Sequence, residues 1–420
     1  MIDPRLLRDD FSSVATALAR RGYDHDDLAA LRDLDERRRA LVAEVDRARA
    51  EQRSASKSIG QASAEERPGL IAAAAERKAT VVDLEKQLAA VEAEHFRRFA
   101  AVPNLPQAAA PDGVEGDGRV LRTFGDKPTF DFPVRDHVEL LESADALDLA
   151  RAAKVSGARF AYLKGEGALL EFALVRYAID IAMRHGHVPV IPPVLVREEA
   201  MYGTGFLPTD EQQIFLTRDD DFYLVGTSEV PLAALHMDEV LDEAELPIRY
   251  VGYSPCFRRE AGTHGKDTRG ILRVHQFEKV ELFSFVHPDL ADDEHERLLS
   301  IEEEVFTGLG VHAQVVDIPV GDLGAPAARK FDIEAWLPGQ DAYREVTSCS
   351  NTTDYQARRL KARIRRQEGD NLLVHTLNGT ALAVQRAIIA LVETHQREDG
   401  SVAVPAALQP YLGREVLFAR

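Results

Sequence analysis

Phe257-Arg258-Arg259-Glu260-Ala261-Gly262-Thr263-His264-Gly265-Lys266-Asp267-Thr268-Arg269-Gly270, continued by Arg273-Val274-His275-Gln276-Phe277-Glu278-Lys279-Val280-Glu281, is the stretch on which the reading of this chain turns. Apolar runs at 248–253 and 280–286 flank it, so the segment reads as strand, polar loop and strand. Side chains alternate faces along a strand, which predicts that Arg258 and Glu260, two apart, point to the same side and reach one ligand. The planar fork of Arg258 suits a carboxylate and a phosphate at once. Glu260 can accept from an amine. Phe277 presents an apolar face that serves either for stacking or as core. His264 and His275 read as loop or structural residues.

Upstream, a heptad seam runs through Leu34, Arg38, Leu41, Val45, Ala48, Gln52, Ala55 and Ile59. A second runs through Leu70, Ala74, Arg77, Val81, Leu84, Leu88, Val91 and His95, after an interruption containing Gly60, Ser63, Pro68 and Gly69. Two helices joined by a short turn predict an antiparallel coiled-coil hairpin, and the polarity off the seam favours projection into solvent over burial in a larger core. Residues 31–100 carry 14 Lys/Arg against 13 Asp/Glu, while the whole chain of 420 residues has a net charge of -19. An average surface of that sign repels phosphate, so any nucleic-acid contact must be local, and the balanced hairpin is the region that can make it. After Ala101, a run rich in Pro, Gly and Asp marks a boundary, giving an N-terminal domain 1–101 with the hairpin at about 31–99, a linker 102–129 and a second domain 130–420. In that last part, apolar runs alternate with helical stretches such as 168–184 and 379–396, the pattern of an α+β domain.

Three further segments carry polar chemistry. In Gly226-Thr227-Ser228-Glu229-Val230-Pro231-Leu232, Glu229 could meet a buried ammonium, which needs an anionic partner. In Tyr343-Arg344-Glu345-Val346-Thr347-Ser348-Cys349-Ser350-Asn351, Glu345 and Ser348 are oxygen donors suited to magnesium, which keeps several waters and bridges phosphates. Cys349 reads as packing, and neither it nor Cys256 belongs to a metal or redox spacing, so reduced thiols are expected. Leu377-Asn378-Gly379-Thr380-Ala381-Leu382-Ala383-Val384-Gln385-Arg386 leads into a helix through Glu393.

Taken together, these segments resemble the seryl-tRNA synthetase family of class II aminoacyl-tRNA synthetases, from the hairpin to about Leu412. Arg-x-Glu-Ala-Gly, Asp-Thr-Arg-Gly and His-Gln-Phe-x-Lys-x-Glu match the family's motif 2, the Thr-Ser-Glu segment its amino-acid loop, and the segment ending at Arg386 its motif 3. Residues 168–194 are similar to motif 1, which builds a dimer interface. The resemblance implies an antiparallel catalytic sheet of six or seven strands behind a coiled-coil arm, in a cytoplasmic homodimer. It implies L-serine held by Thr227, Ser228, Glu229, Glu281 and Thr380, with Glu281 accepting from the serine hydroxyl. ATP would lie on Arg258, Arg259, Glu260, Val274, Phe277, Glu345, Val346, Thr347, Ser348 and Arg386. Arg258 and Arg386 would be catalytic, and Mg2+ would bind Glu345 and Ser348. The implied partners are tRNA(Ser) and tRNA(Sec). Family members often carry Ser and Gly where Thr380, Ala381 and Gln385 stand, which bears on pocket shape alone.

Two other readings start from the same residues. An enzyme loading an amino acid onto a carrier protein would have no use for the hairpin, and a coiled-coil scaffold would have none for Arg258, Glu260, Glu345 and Arg386. No run of about 18 apolar residues marks a membrane span, and the first residues lack the apolar core of a signal peptide.

Overall fold

The computed structural model describes residues 1–262, 267, 269–366 and 368–419. The chain divides into two compact units, residues 3–102 and residues 103–420 together with Met1–Ile2. The first is dominated by helices α1 (His25–Gln61) and α2 (Arg67–Ala100), which pack antiparallel. Their shared seam buries Leu41, Val45, Leu84 and Val91, with Leu34, Ala48 and Leu88 beside them, as the heptad spacing predicts. Asp24 caps α1 by accepting from the amides of Asp26 and Asp27. At the turn, Ser63 and Glu66 bond reciprocally in a capping box, while Pro68 occupies the first turn of α2, where its missing N–H costs nothing. The heptad pattern misses one feature: Asp35, off the seam, is buried and holds Arg38 and Arg39, each at 3.1 Å.

The second unit is built on strands β1 (Arg119–Phe124), β2 (Val188–Val190), β3 (Ile248–Phe257), β4 (Gln276–Val286), β5 (Ala313–Asp317), β6 (Arg329–Leu337), β7 (Ala342–Asn351) and β8 (His375–Ala383). Among the described residues they form one eight-stranded sheet, in the order β1-β5-β6-β7-β8-β4-β3-β2. Every pairing is antiparallel except β2 with β3. The sheet therefore exceeds the expected six or seven strands. The excess includes β1, which lies in the stretch 102–129 read as a linker: from Pro103 on, that stretch is part of this unit, anchored by Asn104 to the carbonyls of Ala325, Pro326 and Thr352. An exposed edge strand carries no burial alternation in its sequence, which is why Pro and Gly punctuation dominated the reading there.

Helices α3 (Glu166–Arg184), α4 (Glu229–Ala234), α5 (Ala291–Gly308), α6 (Tyr355–Leu360) and α7 (Val384–Thr394) surround the sheet. The expected helix at 379–396 starts only at Val384, because 379–383 complete β8; a fully buried strand is a continuous apolar run, which periodicity does not separate from a helix. Strand β6 shows how the two faces differ. Phe331, Ile333, Ala335 and Leu337 have no exposure and join α3, α5 and α7 in the main core, each large side chain contributing about 1.5–3 kcal/mol. Lys330 and Asp332 alternate with them onto the opposite face.

Candidate active site

That opposite face carries a cavity of about 260 Å³. Its wall takes Arg258 and Glu260 from the end of the β3–β4 hairpin, Phe277 and Lys279 from β4, Lys330 from β6, Glu345 to Ser348 from β7, Thr380 from β8 and Arg386 from α7. Arg258 and Glu260 do reach one cavity, but not by strand alternation. Strand β3 stops at Phe257, and Glu260 has a positive φ of 48°, so backbone reversal brings the carboxylate back to the wall. Arg258 donates from Nε to the Gly226 carbonyl at 3.2 Å, and its guanidinium lies 5.2 Å from the centre of the Phe277 ring. The backbone of Arg258 is clamped by His275, whose amide hydrogen-bonds Arg159 and whose Nδ1 meets the Arg258 carbonyl at 2.9 Å. His275 is thus structural; His264 lies outside the described residues, as do Thr263, Gly265, Lys266 and Thr268 of the loop.

On the β7 side, Arg386 donates to both the carbonyl and a carboxylate oxygen of Glu345, at 2.9 and 3.1 Å. Burial alone would raise the Glu345 carboxyl, but Arg386, then Lys330 and Arg258, outweigh it and hold it down to about 2. Its side chain keeps 44% of its exposure, opening on the cavity, so it is an ionised and accessible oxygen donor.

Thr227, Ser228, Glu229 and Glu281 are not on the cavity wall; they are buried next to it. Lys279 makes the link, ion-paired to Glu281 and 3.5 Å from the Thr380 hydroxyl. A register shift between Val280 and Glu281 sets Glu281 directly opposite Thr380. Glu229 opens α4, its amide donating to the Thr227 hydroxyl at 3.1 Å, and its carboxylate accepts from the amides of Gln356 at 2.7 Å and Asn378 at 3.0 Å. Burial and then the neighbouring Glu281 carboxylate push the Glu229 carboxyl up to about 7. Two buried acids side by side call for a cation, which the resting site supplies through Lys279 and, less strongly, Arg258. Ser228 turns instead to Ser254, at 2.7 Å. Arg259, expected among the ATP residues, is absent from the wall and hydrogen-bonds through its amide to Gln213.

Sequence reasoning gave no role to Lys279, Asn378, Gln356, Arg273 or Lys330. Lys279 was within reach, since it alternates with Glu281 in the same strand. Gln356 had no local signal, because only tertiary folding brings α6 to Glu229. Gln385, one of the departures from the family pattern, is locked to Glu278 by two hydrogen bonds, donating at 2.5 Å and accepting at 3.0 Å. Cys349 is fully buried in the core, and burial pushes its thiol up.

Residues 1–106 match the family pattern described as the seryl-tRNA synthetase N-terminal domain, and residues 214–395 that of the tRNA synthetase class II core domain (G, H, P, S and T). The serine--tRNA ligase of Acidothermus cellulolyticus is 54% identical over 417 residues, covering 99% of both chains. This chain belongs to the seryl-tRNA synthetase family. The Nocardia farcinica serine--tRNA ligase, 51% identical over 99% of both chains, agrees. So do two solved structures. The Pyrococcus horikoshii seryl-tRNA synthetase complexed with ATP superposes with a TM-score of 0.90 at 39% identity, covering 99% of each chain. The Naegleria fowleri cytoplasmic enzyme in complex with AMP gives 0.85 at 31% identity, covering 99% of this chain and 98% of its own. Membership of this family makes the chain a class II aminoacyl-tRNA synthetase, a ligase.

Proposed function

We propose that the cavity joins L-serine to ATP as seryl-adenylate and passes the seryl group to the terminal adenosine of tRNA(Ser) and, by family resemblance, of tRNA(Sec). The observation that carries this reading is the convergence of Arg258, Lys279 and Arg386 beside Phe277 on one cavity of a chain with net charge -19, with the buried Glu229 carboxylate next to it.

In this reading the serine ammonium ion-pairs with Glu229, and the serine hydroxyl donates to Glu281 beside Thr380 and Thr227. A pocket built to bond a hydroxyl rejects alanine, which would leave those groups unpaired. Adenine stacks on Phe277 between Val274 and Val346, and Glu260 accepts from its amine. Arg258 bridges the serine carboxylate and the α-phosphate, stabilising charge where it develops. A carboxylate oxygen of serine bonds to the α-phosphorus, the bond to the bridging oxygen breaks, and pyrophosphate leaves with that electron pair. The attacking carboxylate is already ionised, so no general base is required. Arg386 holds the γ-phosphate end.

Glu345 and Ser348 fit a magnesium ion: one ionised, accessible carboxylate and one hydroxyl face the cavity. When bound, Mg2+ would neutralise phosphate charge there.

The family homodimer is supported by apolar side chains left exposed around motif 1: Leu169 and Phe172 on α3, Val188 on β2, and Ile191 at 88%. The helical arm is proposed to bind tRNA by shape and backbone, and the cytoplasm, where tRNA and ATP meet, is the proposed compartment. Among the described residues no helix is long and apolar enough to cross a membrane. The test is pyrophosphate exchange with each of the twenty amino acids. Serine alone should support it, and exchange with another amino acid in preference to serine would refute the assignment.

A further inference from the structure

We propose that Lys330 is a further substrate-contacting residue, which holds the β- and γ-phosphates of ATP and steadies the pyrophosphate as it leaves; the inference rests on the adenylate-forming reading above. Lys330 is set on the cavity face by the alternation of β6 and lines the cavity wall. Its ammonium sits 3.0 Å from Asp332, with side chains 20% and 7% exposed. Asp332 is its strand neighbour at i+2, so one carboxylate fixes the ammonium from the side and leaves the remaining donors of a three-donor group to turn toward the cavity.

The register locates what those donors would meet. Lys330 lies opposite Ser350 and Asp332 opposite Ser348, so the lysine flanks the strand that carries Glu345 and Ser348. From β4, which carries Phe277, to β6 are three strand spacings, through β8 and β7, or about 14 Å at ~4.8 Å each. Lys330 shares its row with Ser350, Asn378 and Phe283, so a nucleotide with its base on Phe277 reaches it by running diagonally past Glu345 and Ser348 on β7, along the cavity that Phe277 and Lys330 both line. The other cations on the wall already have fixed tasks in the resting site: Arg258 on the Gly226 carbonyl, Arg273 on Glu260, Lys279 on Glu281 and Arg386 on Glu345. When the bond from the α-phosphorus to the bridging oxygen breaks, the added negative charge resides on pyrophosphate, and Lys330, held by Asp332 as Arg386 is held by Glu345, adds a second cation to Arg386 at that end.

The experiment compares Lys330→Ala, Lys330→Arg and the double variant Lys330→Ala/Asp332→Asn in two half-reactions. Serine-dependent pyrophosphate exchange should fall on the order of 10²-fold in Lys330→Ala, with a raised KM for pyrophosphate and an unchanged KM for serine, and recover in part in Lys330→Arg. Transfer from chemically synthesised seryl-adenylate to tRNA involves no pyrophosphate and should keep its wild-type rate, which also reports that the variant is folded. The double variant should remain as slow in exchange as Lys330→Ala. The inference is overturned if Lys330→Ala exchanges normally, if transfer falls along with exchange, or if the double variant regains exchange, since Lys330 would then serve only to neutralise Asp332. A wild-type protein that exchanges with no amino acid would instead refute the adenylate reading itself.

Discussion

Replacing Glu229 with glutamine separates what the site needs from what the fold needs. In the resting protein this carboxyl is buried and pushed up to about 7 from the ordinary glutamate value of about 4.5. For an acid, a folded value above the unfolded one means that the unfolded chain binds fewer protons between those pH values. Stability therefore falls as pH rises from about 4.5 to 7, by roughly 3 kcal/mol for a shift of this size. A glutamine keeps an oxygen for the Gln356 and Asn378 amides and removes the buried charge. Above pH 7 the variant should thus be as stable as the parent or more so. Serine binding should move the other way. Losing one partner of a buried, hydrogen-bonded ion pair costs about 3–5 kcal/mol, or roughly 10²–10⁴-fold in affinity. The KM for serine in pyrophosphate exchange should rise by that factor, with the Kd for ATP unchanged by calorimetry. In the parent, serine affinity should also improve as pH rises toward 7 and Glu229 ionises, a dependence the variant should lose. A Glu229→Gln protein with a parental KM for serine, or one that unfolds earlier than the parent at pH 8, would refute the reasoning.

Arg258→Ala should nearly abolish exchange, a loss of about 3 kcal/mol or more, and Arg258→Lys should restore little, because an ammonium does not reproduce the guanidinium fork; near-parental exchange in either would count against its role. Glu281→Ala should weaken serine far more than ATP in calorimetry, whereas equal losses would make it a structural acid. Replacing residues 33–99 with a short linker should leave exchange intact and severely reduce tRNA charging. Within the arm, loss of Arg47, Arg49, Arg53 and Lys57 should lower tRNA affinity and flatten its salt dependence. Unchanged charging by the armless protein would remove the arm from tRNA recognition.

What the sequence revealed and what it concealed follow from how local each signal is. The coiled-coil seam was legible because a heptad is a short-range pattern, and Leu41, Val45, Leu84 and Val91 lie where it put them. The alternation of β6 was equally local but went unread: Lys330 and Asp332 interleave with fully buried apolar residues. The hairpin was read correctly in kind, but its strand ends at Phe257, and the positive φ of Glu260 is a tertiary outcome with no glycine to announce it. The edge strand Arg119–Phe124 was hidden because its side chains are mostly exposed and its surroundings are rich in turn residues. The polar shell of Glu229 comes from α6 and β8, more than a hundred residues downstream, so no spacing in the chain encodes it.

The central claim is that this chain esterifies serine to its tRNA. Incubating the purified full-length protein with ATP, Mg2+, radiolabelled amino acids and fractionated tRNA isoacceptors tests it directly. The account predicts acid-precipitable, alkali-labile label from serine alone, confined to the serine and selenocysteine isoacceptors; label from another amino acid, or serine activation without any transfer to these tRNAs, would contradict it.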